Sequence, residues 1–114
     1  MIKAEHTLRK FWGFEAFRPS QESVISSVLD HNDTLALLPT GGGKSLCFQV
    51  PAMVNEGICI VISPLIALMQ DQVNVLKNKG IKAMALTSGM SYSDLDAALD
   101  NCIYGNYKFL YLSP

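Results

Sequence analysis

Between an apolar stretch, Thr34-Leu35-Ala36-Leu37-Leu38, and a helix-like stretch, Ser45-Leu46-Cys47-Phe48-Gln49-Val50, the chain carries Pro39-Thr40-Gly41-Gly42-Gly43-Lys44. No other feature constrains the fold as much. Glycines lack Cβ, so successive backbone N–H groups can turn toward one point and form an anion-binding nest. A helix starting at that point adds the positive end of its dipole. An ammonium at position 44 reaches β- and γ-phosphates, and a hydroxyl at position 45 can ligate Mg²⁺. Strand, glycine-rich turn, Lys-Ser and helix in this order make a phosphate-binding P-loop. We therefore expect Thr40, Gly41, Gly42, Gly43, Lys44 and Ser45 to hold a nucleoside triphosphate, with Lys44 the candidate catalytic residue and Ser45 the metal ligand.

The strict loop pattern asks for glycine where Leu38 stands. A dinucleotide fingerprint fits worse. Reading Gly41-x-Gly43-x-x puts Leu46 where a third glycine is needed, and Val61 falls where a ribose-binding acid is needed. The remaining alternative is a glycine-rich turn with an incidental lysine.

A chain of 114 residues holds one small domain at most, and 49% hydrophobic residues permit a core. No apolar run reaches the length of a membrane span, and Met1-Ile2-Lys3-Ala4-Glu5-His6 does not read as a signal peptide. The formal net charge of −1 supplies no global basic field, so any nucleic-acid contact must be local. Cys47, Cys59 and Cys102 lack metal or redox spacing and read as small buried hydrophobes in a reducing, intracellular setting.

Hydrophobic periodicity alternates between two templates. Val24, Ile25, Val28 and Leu29 mark a helix over 21–30, followed by a turn at Asn32-Asp33 and a strand over 34–38. A helix from Lys44 should kink or end at Pro51, which has no N–H to give. The run 58–62 is rich in β-branched residues and reads as a strand buried on both faces. Ser63-Pro64 reads as a cap and first helical residue. Leu65, Leu68, Met69, Val73 and Leu76 form the stripe of the next helix, ended by Gly80. A weaker strand over 83–86 follows, then a helix capped by Ser91 or Ser93 and closed by Gly105, and a last strand over 109–112. Helix-length crossovers between strands imply an α/β fold with a parallel sheet and flanking helices. Asp94 and Asp96 read as part of a solvated helix face.

Four segments together resemble the start of a RecQ-family ATP-dependent DNA helicase, of the DEAD/DEAH type. They are 12–21 (Trp-Gly-Phe-Glu-Ala-Phe-Arg-Pro-Ser-Gln), 38–52 around the P-loop, 61–73 (Val-Ile-Ser-Pro-Leu-Ile-Ala-Leu-Met-Gln-Asp-Gln-Val), and 110–114 (Leu-Tyr-Leu-Ser-Pro). The resemblance covers nearly the whole chain, in order and in register, and the family tolerates an apolar residue at position 38. It departs at Ser20, where glycine is usual.

The resemblance implies the first RecA-like domain of a P-loop NTPase, with 1–114 a partial ATP-binding domain and 1–32 its adenine-recognition segment. It implies that Phe14 stacks on adenine, that Arg18 packs on the other face and that Gln21 reads the base edge. On the residues alone, Phe14 and Phe17 could equally be core, with Arg18 and Gln21 a solvated helix start. Ser63, Ser88 and Ser113 would touch single-stranded or partially duplex DNA, though Ser63 and Ser113 could simply cap helices. The implied cofactors are ATP and Mg²⁺, and the implied parent is a 3′→5′ motor acting in replication, recombination and repair, in the bacterial nucleoid or the nucleus, with no membrane partner. The family carries its D-E-x-H segment after the stretch seen here, so the fold should stop short of that strand. The 114 residues by themselves are then expected not to hydrolyse ATP. Exposed sheet edges should favour self-association. The rival readings are an inactive fragment and a P-loop ATPase with no nucleic-acid role.

Overall fold

The computed structural model describes residues 1–38 and 43–114, in two compact units, Met1–Glu56 and Gly57–Pro114. The first unit is helical. It contains α1 (Ile2–Thr7), a π-helical turn (Leu8–Trp12), α2 (Pro19–Leu29) and α3 (Leu46–Val54). Its core is Ala4, Leu8, Ile25 and Val50, with Trp12, Phe17, Leu29, Leu46 and Val54 packed around them. Gly13 closes the π turn in a left-handed conformation (φ 74°), its N–H shared between Leu8 O at 3.0 Å and Arg9 O at 3.2 Å. Pro19 suits the first position of α2, where no N–H is needed.

The strand expected over 34–38 fails in this unit, and so does an end of the helix at Pro51, one of the two outcomes expected there. Residues 34–38 form no strand, and Leu35 and Leu37 stand 88% exposed. A strand exists only through hydrogen bonds to a neighbour, and among the described residues no strand pairs with this stretch. The P-loop helix does not end at Pro51. It runs to Val54, and Asn55 N–H closes it on Pro51 O at 2.9 Å. The proline removes a donor from the middle of the helix but leaves its own carbonyl for that last turn.

The second unit is the parallel sheet. Strands β1 (Cys59–Ile62), β2 (Ala83–Leu86) and β3 (Phe109–Leu112) are ordered β1-β3-β2, and the intervening helices are α4 (Ile66–Asn78) and α5 (Tyr92–Tyr104). The α/β class with flanking helices is thus borne out. Cys59 and Ala83 both align with Phe109, so the three strands start and finish together. Central β3 is the buried one, with Phe109, Leu110 and Tyr111 each almost inaccessible. The Tyr111 hydroxyl donates to Gln72 Oε1 at 2.8 Å, tying β3 to α4. In α4 the inward residues are Met69, Val73 and Leu76, whereas Leu65 and Leu68 are exposed.

Strand β1 corrects the expectation of burial on both faces. Ile60 and Ile62 are 57% and 68% exposed, because β1 is an edge strand and that face is uncovered among the described residues. The start of α4 is corrected too. Ser63 N–H is still in the ladder, donating to Leu112 O at 3.0 Å, so the chain cannot yet be helical. The Ser63 hydroxyl instead accepts from Leu65 N–H at 3.2 Å, and the helix begins at Ile66. At the other end α4 finishes in a Schellman turn. Gly80 (φ 81°) donates to Lys77 O and Ile81 to Leu76 O, both at 3.0 Å. Ser91, rather than Ser93, caps α5, accepting from Asp94 N–H at 3.1 Å.

Candidate functional site

Of the loop residues, Gly43, Lys44 and Ser45 are described, whereas Thr40, Gly41 and Gly42 lie outside the described residues. Gly43 has φ +72°, a conformation that an L side chain adopts only at a cost. A Cβ built there would run into the Gln21 side-chain amide nitrogen. Glycine is thus required twice, by its dihedral and by its neighbour. Gly43 O accepts from Leu46 N–H at 3.2 Å, turning the chain into α3, and from Gln21 Nε2 at 3.3 Å. Ser45 stands at the N-cap position of α3 without a side-chain capping bond, and Lys44 beside it is exposed.

Gln21 belongs to the first turn of α2 and is only 4% exposed. Its Oε1 accepts from Arg18 N–H at 2.9 Å while its Nε2 reaches Gly43. One buried amide thus stitches the start of α2 to the glycine ahead of α3. A cavity of about 170 Å³ opens beside it, lined by Phe14, Ala16, Arg18, Gln21, Gly43 and Leu46. Three residues singled out in the 12–21 segment and one from the loop therefore share a single recess. Phe14 and Phe17, equivalent on sequence, are separated by the structure: Phe17 packs on the core, while Phe14 is 55% exposed at the cavity wall. Ala16 and Leu46 were not singled out by sequence. Their signal was position alone, between Phe14 and Arg18 and just after Ser45.

Ser63, Ser88 and Ser113 each follow one of the parallel strands, at the carboxyl ends, the edge where open α/β sheets bind ligands. The backbone N–H of Ser63 and of Ser113 is already committed to the ladder, to Leu112 O and Leu86 O. These two serines therefore have only side chains to offer a phosphate. Ser88 is exposed in the turn closed by Met90 N–H on Thr87 O at 3.2 Å. Asp94 and Asp96 are solvated on α5, and among the described residues no group of His, Cys, Asp and Glu could hold a metal ion. Burial holds the thiols of Cys47, Cys59 and Cys102 above their ordinary range, with Lys108 pulling partly the other way on Cys59. Cys47 is buried, and the other two are half-buried. Among the described residues no helix is long and apolar enough to cross a membrane.

Residues 18–114 match the family model for the DEAD/DEAH box helicase. The chain belongs to that family. Among curated proteins it is 46% identical, over its whole length, to a probable ATP-dependent DNA helicase RecS of Bacillus subtilis, and spans 23% of that protein. It is also 46% identical over 96% of its length to an ATP-dependent DNA helicase RecQ of Synechocystis, again 23% of the relative. Against ATP-dependent DNA helicase Q1 of Rattus norvegicus the identity is 38% over 98% of the chain, which spans 18% of the rat protein. This DEAD/DEAH chain thus covers less than a quarter of the helicases it resembles.

Proposed function

We propose that the chain is the ATP-binding segment of the first RecA-like domain in a RecQ-like, ATP-dependent 3′→5′ DNA helicase that unwinds duplex DNA in replication, recombination and repair. The observation that supports this most is the shared recess of Phe14, Arg18, Gln21 and Gly43. Its volume of about 170 Å³ is smaller than the roughly 300–1,000 Å³ of a whole small-molecule site, and leaves room for one flat ring system. The Gln21 amide has two N–H donors and two acceptor lone pairs, so alongside its bonds to Arg18 N–H and Gly43 O it can present a donor to adenine N7 and an acceptor to N6, whereas guanine would present two acceptors. The Phe14 ring and the Arg18 guanidinium supply stacking surfaces. The triphosphate would then run toward Gly43, with the Lys44 ammonium on the β- and γ-phosphates and Ser45 Oγ as a ligand of Mg²⁺. The metal would neutralise phosphate charge, while the residues of this chain bind and orient.

In this reading 1–114 is a partial helicase ATP-binding domain, and 1–32 supplies most of its adenine contacts. The side chains of Ser63, Ser88 and Ser113 approach a DNA strand at the carboxyl edge of the sheet. The setting is intracellular, in the bacterial nucleoid or the nucleus. No D-E-x-H tetrapeptide occurs within the 114 residues, so binding rather than hydrolysis is the activity assigned to them. Lys44→Ala should abolish ATP binding in a titration while leaving the far-ultraviolet circular dichroism unchanged. Undiminished affinity in that variant removes the assignment.

A second reading, self-association through the open edge of β1, is supported by the exposure of Ile60 and Ile62. The two readings are compatible.

A further inference from the structure

At the opposite edge of the sheet, where the strands begin, lies a second recess of about 230 Å³. The Schellman turn at Gly80 brings it about. It reverses the chain from α4 into β2 and leaves Lys77, in the last turn of α4, and Lys82, just before β2, on one rim. Ile81 and Ala83 make an apolar floor, and Tyr107, just before β3, makes an aromatic wall. The Lys82 ammonium lies 5.6 Å from the centre of the Tyr107 ring and donates to Gly105 O at 2.7 Å. An ammonium has three donors, and Gly105 takes one of them. Neither Lys77 nor Lys82 has a carboxylate within ion-pairing distance among the described residues, although acids outnumber bases in the chain, 10 to 9.

We propose that this recess takes a phosphate of a single-stranded nucleic acid, with the adjoining base against Tyr107. Two ammonium groups without a carboxylate partner among the described residues line one recess, and an anion placed there is attracted by both. Lysine serves phosphate as a point charge with no demand on orientation. A carboxylate would answer the charge alone, whereas a nucleotide also covers the apolar floor and the ring, the pairing of cation and aromatic that single-strand sites use. The backbone carbonyls of Leu76 and Lys77 are already bonded within the Schellman turn, so they do not consume the lysines. The four residues of β2, at ~3.3 Å each, put this site roughly 13 Å from the edge that bears Ser88 and Ser113. It is therefore additional to those contacts, though it rests on the reading that the chain handles DNA.

The test is a titration of the isotope-labelled full chain with oligothymidylate at low salt, followed by amide NMR, with polyglutamate in parallel. Oligothymidylate should shift the amides of 80–83 and Tyr107, and the Lys77→Gln/Lys82→Gln variant should lose those shifts. The salt dependence of affinity should weaken by about 0.7 in slope per phosphate contact removed. Lys77→Gln alone, which breaks no hydrogen bond, should give half the change and guards against misfolding of the double variant. Shifts confined to Ser63, Ser88 and Ser113 would overturn the second site while leaving DNA binding intact. No shifts with oligothymidylate at either edge would overturn both readings, and shifts at 80–83 with polyglutamate alone would make the recess an acidic-peptide site.

Discussion

At the scale of single residues, Gly43 and Gln21 form a unit. Replacing Gly43 with alanine forces a Cβ into a left-handed conformation, at a cost of roughly 1–2 kcal/mol, and drives it into the Gln21 amide. Gly43→Ala should therefore lower unfolding stability by about 2 kcal/mol or more in urea titrations. In a Gln21→Ala background the same change should cost only the dihedral part. Equal costs in both backgrounds would show that the two residues do not couple. Cys47 offers a second test. Burial raises its thiol above the ordinary value of 9.0, so as pH climbs past 9.0 the unfolded chain ionises first. The unfolded state then holds fewer protons, and stability falls with pH. The alkaline limb of a stability profile should be shallower in Cys47→Ala than in the parent chain, and parallel limbs would contradict this. The sequence made the chemistry of such residues legible but not their pairing. That Gln21 would brace Gly43, 22 positions away, is a tertiary fact.

Secondary elements were legible where a face has a period. Met69, Val73 and Leu76 of the α4 stripe, the α5 cap and the short β2 and β3 strands agree with the periodicity, because helix and strand spacing report which side is buried, whereas Leu65 and Leu68 of the same stripe stand exposed. The stretch 34–38 has the composition of a strand but no partner among the described residues, and composition cannot supply hydrogen bonds. Helix α1 and the π turn were missed, although Ala4, Leu8 and Trp12 recur every fourth residue, a periodic signal in plain sight. Helix ends carry the element-scale predictions. Helix α2 ends in a Schellman turn with His31 at φ 63°, its N–H on Val28 O and that of Asn32 on Ser27 O. Glycine relieves left-handed strain there while adding freedom to the unfolded chain. The net gain of His31→Gly should be about 0.5 kcal/mol. Gly80→Ala reverses the argument at the end of α4 and should cost about 1 kcal/mol. Thermal unfolding of the two variants should shift in opposite directions.

For the molecule as a whole, the distribution of apolar surface matters more than its amount. β1 is an edge strand with no charged or proline residue to blunt it, and it leaves Ile60 and Ile62 largely exposed on one face. Unprotected edges of this kind pair with other chains. Fully burying an isoleucine side chain is worth about 1.5–3 kcal/mol, so covering two on each partner, together with hydrogen bonds along the β1 edge, offsets much of the roughly 4–15 kcal/mol that association costs. The chain should therefore gain mass with concentration in sedimentation or light scattering. Ile60→Lys with Ile62→Lys places charge on the exposed face without touching Cys59 or Val61, which point the other way by strand alternation. That double variant should remain monomeric over the same range and keep its circular dichroism, because the ladder from β1 to β3 is made by backbone groups alone. A parent chain that stays monomeric, or a double variant that associates equally well, would show that the β1 face does not drive self-association. ATP affinity should be the same in the parent and the double variant, since Phe14, Arg18, Gln21 and Gly43 line a recess wholly within residues 1–56.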